Sequence, residues 1–120
     1  MASTPDLIRT AVERFQAEVP ALKKLKLVFG LELKARHDIQ LYRVEVPGPT
    51  IKKDLSQDER VLVQIDRPQF NELAENGTLK SYRKAYETGH IKATGDSNVK
   101  KLIAQVVERQ EERARLRKAH

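Results

Sequence analysis

Apolar residues change their spacing several times along this chain, and each change predicts an element. Leu7, Ile8, Ala11, Val12, Phe15 and Val19 recur three and four apart, which predicts a helix with one apolar stripe. Thr4-Pro5-Asp6 reads as its start: a capping hydroxyl, Pro at the first helical position, and an acid in the positive end of the dipole. Pro20 ends or kinks that helix. From Leu25 the period becomes two: Leu25, Leu27, Phe29, Leu31, Leu33 and Ala35 alternate with Lys26, Glu32 and Lys34, a strand with one buried face.

The polar break Arg36-His37-Asp38 leads to a second strand over Ile39 to Val46, and Pro47-Gly48-Pro49 forces a turn. Thr50 to Leu55 is a weaker strand candidate, and Ser56 to Glu59 is a loop. Val61, Val63 and Ile65 alternate again. Asp66 followed by Gln69 resembles a capping box, opening a short helix with Phe70, Leu73 and Ala74 that stops at Asn76-Gly77. Leu79 to Glu87 predicts a second short helix, and Ile91 and Ala93 mark a brief strand closed by Gly95. Asp96-Ser97-Asn98 caps a last helix with the stripe Val99, Leu102, Ile103, Val106 and Val107. Beyond Val107 the chain is nearly all charge, and a solvated helical extension over 108–120 is expected. The order predicts one α+β domain over 1–120, its core within 6–107: a mainly antiparallel sheet with helices on one face.

Composition narrows the function. At 120 residues, 39% hydrophobic and 33% charged, the chain supports one core and is not a disordered polyampholyte. No apolar run reaches the roughly 20 residues of a spanning helix. The first six residues carry no signal-peptide pattern and Lys118-Ala119-His120 is no peroxisomal or lipidation tail, so a cytoplasmic protein is expected. The absence of Cys removes disulfides, zinc-thiolate centres and a Cys nucleophile. No phosphate-cradling glycine loop or nucleophile elbow is present. His37, His90 and His120 lack a pair spacing for a metal, and His37 beside Asp38 fits a solvated turn better than a base and its orienter. The chain is therefore not expected to be an enzyme, nor to need a cofactor.

The net charge of +6 favours anionic partners. Lys80, Arg83, Lys84, Lys92, Lys100 and Lys101 form its basic segment, a surface for an acidic protein face or an anionic membrane. Nucleic acid fits less well, because Tyr82 and Tyr86 share a helical face with Ala85 and suit packing better than base stacking. The helix over Leu79 to Glu87 is short for the strands it must cover, which leaves room for an apolar hollow under it.

From Val61 to Val107 the elements follow one another in a recognisable order. Val61-Leu62-Val63-Gln64-Ile65-Asp66 leads to Gln69-Phe70-Asn71-Glu72-Leu73-Ala74 and Asn76-Gly77. Ala85-Tyr86, Gly89-His90-Ile91-Lys92-Ala93-Thr94-Gly95-Asp96 and the final amphipathic stretch follow. This set resembles the lipid-binding domain of the sterol carrier protein type 2 family, and the upstream helix and hairpin keep the family's order. The resemblance implies a five-stranded sheet with helices on one face, an apolar tunnel for sterols, fatty acyl chains or isoprenoids, and no catalysis. Arg83 and Lys84 depart from it, standing where the family often has apolar residues.

On that basis the side chains expected to line the hollow are Phe29, Leu31, Phe70, Leu73, Ala85, Tyr86, Ile91, Leu102 and Val106. The alternative is an accessory interaction module with a filled core and a basic docking surface. Within the extension, Glu111 and Arg115 are spaced to pair along the helix.

Overall fold

The computed structural model describes residues 3–119. Helix α1 (Thr4–Glu18) is capped by Ser3 and not by Thr4: Ser3 Oγ accepts from the Asp6 N–H at 3.3 Å, and the Asp6 carboxylate accepts from the Ser3 N–H at 3.4 Å. Thr4 is instead turned inward and buried, its hydroxyl accepting from Arg67 Nη2 at 3.2 Å. Pro20 does end α1, and a short 3-10 helix (Pro20–Lys24) follows. That turn uses the Leu25 N–H, which bonds to Leu22. Strand β1 (Leu27–Ala35) accordingly starts two residues later than the alternation predicts.

A two-residue turn at Arg36-His37 joins β1 to β2 (Asp38–Val46), and Pro47-Gly48-Pro49 leads to β3 (Thr50–Lys53), shorter than expected. Then come β4 (Val61–Asp66), α2 (Arg67–Asn76), α3 (Leu79–Glu87), β5 (Ile91–Gly95) and α4 (Ser97–Ala119). Asp66 stands at the start of α2, but its side chain makes no capping bond, so the predicted box with Gln69 does not form. Thr78 caps α3 and Asp96 caps α4, the latter accepting from the Asn98 and Val99 N–H groups.

The sheet runs β3-β2-β1-β4-β5. β1 pairs with β4 in parallel, and the other pairs are antiparallel. Because side chains alternate across a sheet, this register collects Leu31 and Leu33 of β1, Tyr42 and Val44 of β2 and Ile65 of β4 on one face. There they meet Leu7, Ile8 and Ala11 of α1, Phe70, Leu73 and Ala74 of α2, and Ala85 of α3 in a single buried cluster. Gln16 ties α1 to the turn after β2 by donating to the Pro47 carbonyl at 2.7 Å.

The opposite face carries Glu32, Arg43, Glu45, Lys52 and Gln64, crossed by the segment 54–60. Asp54 N–H bonds to the Leu41 carbonyl and Arg60 N–H to the Val28 carbonyl, which pins the segment at both ends. Arg43 holds its middle through a two-pronged contact with Asp58, Nε–Oδ1 at 2.9 Å and Nη2–Oδ2 at 2.6 Å. That pairing lowers the Asp58 carboxyl to about 2. Gly30 lies beneath it, where a Cβ would come 2.9 Å from the Leu55 side chain and 3.0 Å from that of Leu62.

Candidate functional site

The nine expected lining residues separate into two groups. Leu31, Phe70, Leu73 and Ala85 belong to the buried cluster, with Phe29 and Ile91 packed against it. Val106 is half-buried outside that cluster, while Tyr86 and Leu102 are 55% and 41% exposed. The exposure of Tyr86 follows from the short helix α3. Its inward line is Tyr82 and Ala85, and the next position along the helix turns Tyr86 out.

Tyr82 takes the inward place. Its ring meets Phe15 of α1 edge to face, centroids 4.5 Å apart. Its hydroxyl is buried without a hydrogen-bond partner, and burial pushes its pKa up to about 12. It therefore stays protonated at physiological pH and offers a hydrogen bond to whatever reaches it. Asn71 Oδ1 on α2 is a second buried acceptor without a partner. A buried polar atom left unpaired costs about 1–3 kcal/mol. Two such atoms in the helical layer mark places where a polar ligand group or a water would be stabilising. Sequence reasoning assigned Tyr82 to packing and left Asn71 unremarked. The signal available was a polar amide beside the inward stripe of α2 and a phenol on the inward line of α3.

The sheet beneath this part of the layer is incompletely covered. Val63 of β4 pairs with Ala93 of β5, and Ile65 with Ile91, all on the face that carries the core. Together with Phe29, the residues Val63, Ala93 and Ile91 are only half-buried. They form an apolar strip along the β4–β5 side. Two surface hollows lie elsewhere. One of about 250 Å³ sits under the crossing segment, between Leu55, Arg60, Leu62 and Gly95. The other, about 470 Å³, lies between the C-terminal ends of α1 and α2 and includes Arg14, Glu18, Glu75 and Thr78. Neither is lined by the nine residues.

The basic segment is exposed at Lys80, Arg83, Lys84, Lys92 and Lys101, with Lys100 half-buried and its Nζ 3.5 Å from the Ala93 carbonyl. Arg83 is not free for a partner: it pairs with Glu87 along α3 and with Glu111 of α4, and these carboxylates raise its pKa. The expected pairing of Glu111 with Arg115 is thus replaced by a link between helices. α4 is continuous past Val107, and Gln110 and Glu111 are half-buried where the sequence predicts a solvated extension. Among the described residues, no three His, Asp or Glu side chains gather as metal ligands, and no helix is long and apolar enough to cross a membrane.

No family model matches the chain, and no curated protein matches it. Solved structures do. A palmitated sterol carrier protein 2 like 2 from Aedes aegypti superposes with a TM-score of 0.59 at 20% identity, over 83% of this chain and 93% of that one. Sterol carrier protein domain 2 of Helicoverpa armigera gives 0.61 at 11% identity, over 86% of this chain and 84% of that one. A sec-alkyl sulfatase of a Pseudomonas species gives 0.54 at 15% identity over 81% of this chain, which matches only 15% of that enzyme. The chain has the sterol carrier protein 2 fold, and the fold also occurs as a small part of a larger enzyme.

Proposed function

We infer that this protein binds and carries a lipid-like ligand, an acyl chain or another elongated apolar molecule, without catalysing its conversion. The observation that carries this reading is the half-buried apolar strip of Phe29, Val63, Ala93 and Ile91 under a short helix, in a fold shared with a palmitate-bearing protein. Burying apolar surface yields about 25 cal/mol per Å², so a chain lying along the strip needs no specific polar contact for affinity. Of the nine expected residues, Phe29 and Ile91 touch such a ligand directly, and Leu31, Phe70, Leu73 and Ala85 form the floor behind it. Tyr82, with its protonated hydroxyl, and Asn71 supply the polar contacts for a headgroup.

The test is displacement of a fluorescent fatty acid from the full-length protein, with native mass spectrometry of the material as purified. Micromolar displacement and a co-purified lipid are expected. No displacement and no adduct would instead favour an accessory module with a filled core.

A further inference from the structure

The face of the sheet opposite the core carries a concave site of its own. The connection from β3 to β4 has to pass β2 and β1 on that face, and residues 54–60 do so. Beside them lies the hollow of about 250 Å³, bounded by the crossing segment and by β4 and β5. Leu55 of the segment and Leu62 of β4 meet over Gly30 and supply its apolar lining. Gly95 of β5 leaves one wall without a side chain. Side chains alternate across a strand, so Leu62 and Thr94 point away from Val63 and Ala93. The sheet itself therefore separates this hollow from the apolar strip. The crossing segment is held in a bent form: Asp54 and Gln57 have φ of +70° and +65°, a region that residues other than glycine seldom occupy. The Arg43–Asp58 pair and the bonds to the Leu41 and Val28 carbonyls fasten it there, so the hollow is preformed.

We propose that this hollow binds a small neutral aromatic molecule carrying one hydrogen-bonding group, of the size of indole or phenol. Its rim selects against ions. Arg60 is paired with Asp96, Nη2 to Oδ2 at 2.6 Å. The Glu59 carboxylate accepts from the Ser56 N–H at 2.8 Å and from the Gln57 N–H at 3.2 Å. Each rim charge is thus compensated, and a charged guest would lose hydration without gaining a counter-ion. The Thr94 hydroxyl and the Gln57 amide, both on exposed residues, are left to orient a neutral one. Size sets the rest. An apolar cavity of about 150 Å³ holds benzene, so this larger hollow admits one ring system with a small polar group. The planar guanidinium of Arg60 at the rim offers that ring a face to stack on. A partner protein's side chain suits the setting less well. The surround consists of the Arg43–Asp58 and Arg60–Asp96 ion pairs, whereas the centre of a protein interface is depleted of charge. The site stands whether or not a lipid lies on the other face.

The experiment is titration of the full-length protein with indole while its methyl resonances are followed by NMR. Saturating shifts are expected at Leu55, Leu62 and Thr94, with a dissociation constant on the order of 1 mM or below. Val63 and Ile91 are expected to change little. Indole-3-acetate and tryptamine carry the same ring with a charge of either sign, and each is expected to bind about fivefold more weakly or worse. Thr94→Trp fills the hollow from its rim and is expected to abolish the shifts at Leu55 and Leu62. Asp58→Asn unfastens the crossing segment and is expected to weaken binding about threefold. Circular dichroism confirms that each variant is folded. Shifts at Val63 and Ile91 in place of Leu55 and Leu62, no saturation, equal binding of the charged analogues, or undiminished binding by Thr94→Trp would overturn the proposal. Tighter binding of a short tryptophan-containing peptide than of indole would overturn it too, in favour of a partner's side chain.

Discussion

Over the middle of β1 and β2 the helical layer closes tightly: Ile8, Leu33, Val44 and Ala74 are at most 1% exposed. Over β4 and β5 the same layer leaves Val63, Ala93 and Ile91 half-buried, with Phe29 at the start of β1 half-buried beside them. The residue types are alike, so hydrophobicity does not explain the difference. Helix length and placement do. α1 has 15 residues and α2 has 10, and the two pack against each other and onto the sheet. α3 has 9, about 13 Å of helix, and places only Tyr82 and Ala85 inward. The covered half holds the fold together, and the partly covered half is where an apolar guest has surface to gain.

Substitutions in the two halves should therefore differ in cost. Phe70→Ala removes a side chain that is 5% exposed at the centre of the cluster and is expected to destabilise by about 3–5 kcal/mol in urea unfolding. Ile91→Ala, on the partly covered side, is expected to cost only about 1–2 kcal/mol while weakening fatty-acid binding more than Phe70→Ala does. Equal costs would break the comparison.

The edge of the open half depends on backbone geometry. Gly95, which ends β5, has φ +126°, and a Cβ there would lie 2.5 Å from the Arg60 carbonyl oxygen. Both the left-handed conformation and the contact exclude a side chain, so Gly95→Ala is expected to cost about 2 kcal/mol by the same measurement. Its Tm staying at the wild-type value would mean that β5 can shift away from β4.

Much of this division was legible in the sequence. The alternation from Leu27 to Ala35 assigned the correct residues to the core face, because a period of two leaves a strand no other way to bury them. The stripes of α1 and α2 were equally plain. The parallel pairing of β1 with β4 was not, since no local pattern shows which strand a later one joins. Nor was the crossing segment visible: Leu55 reads as part of a weak strand, yet it covers Gly30 across the back of the sheet. At the candidate site, Tyr86 and Leu102 fit an apolar stripe by spacing but face outward, because a stripe wider than its partner surface leaves its margin exposed. Tyr82, read from the same spacing as a packing residue, does face inward against the cluster.

Smaller effects sharpen the picture of the outer face. With Asp58 lowered from 3.8 to about 2 by its hydrogen bonds from Arg43, the Asp58–Arg43 pair stabilises the fold above pH 3.8 and loses that contribution as the pH falls towards 2. Thermal melts of Asp58→Asn should show less destabilisation than wild type over that interval. An identical acid dependence would mean that the contact does not hold the crossing segment in solution. Truncation after Val107 should have the least effect, a Tm loss of about 2 °C from the severed Arg83–Glu111 link. A loss above about 8 °C would show that the extension is part of the core.

The central claim is that an apolar ligand lies on the β4–β5 half of the covered face. A fatty acid carrying a nitroxide on its chain tests it most directly, through paramagnetic broadening of methyl and aromatic resonances in the full-length protein. The account predicts the strongest broadening at Val63, Tyr82 and Ile91, falling off across the sheet towards Ile51 on the far edge strand. Broadening confined to Leu55 and Leu62 on the opposite face, or none at saturating ligand, would contradict it.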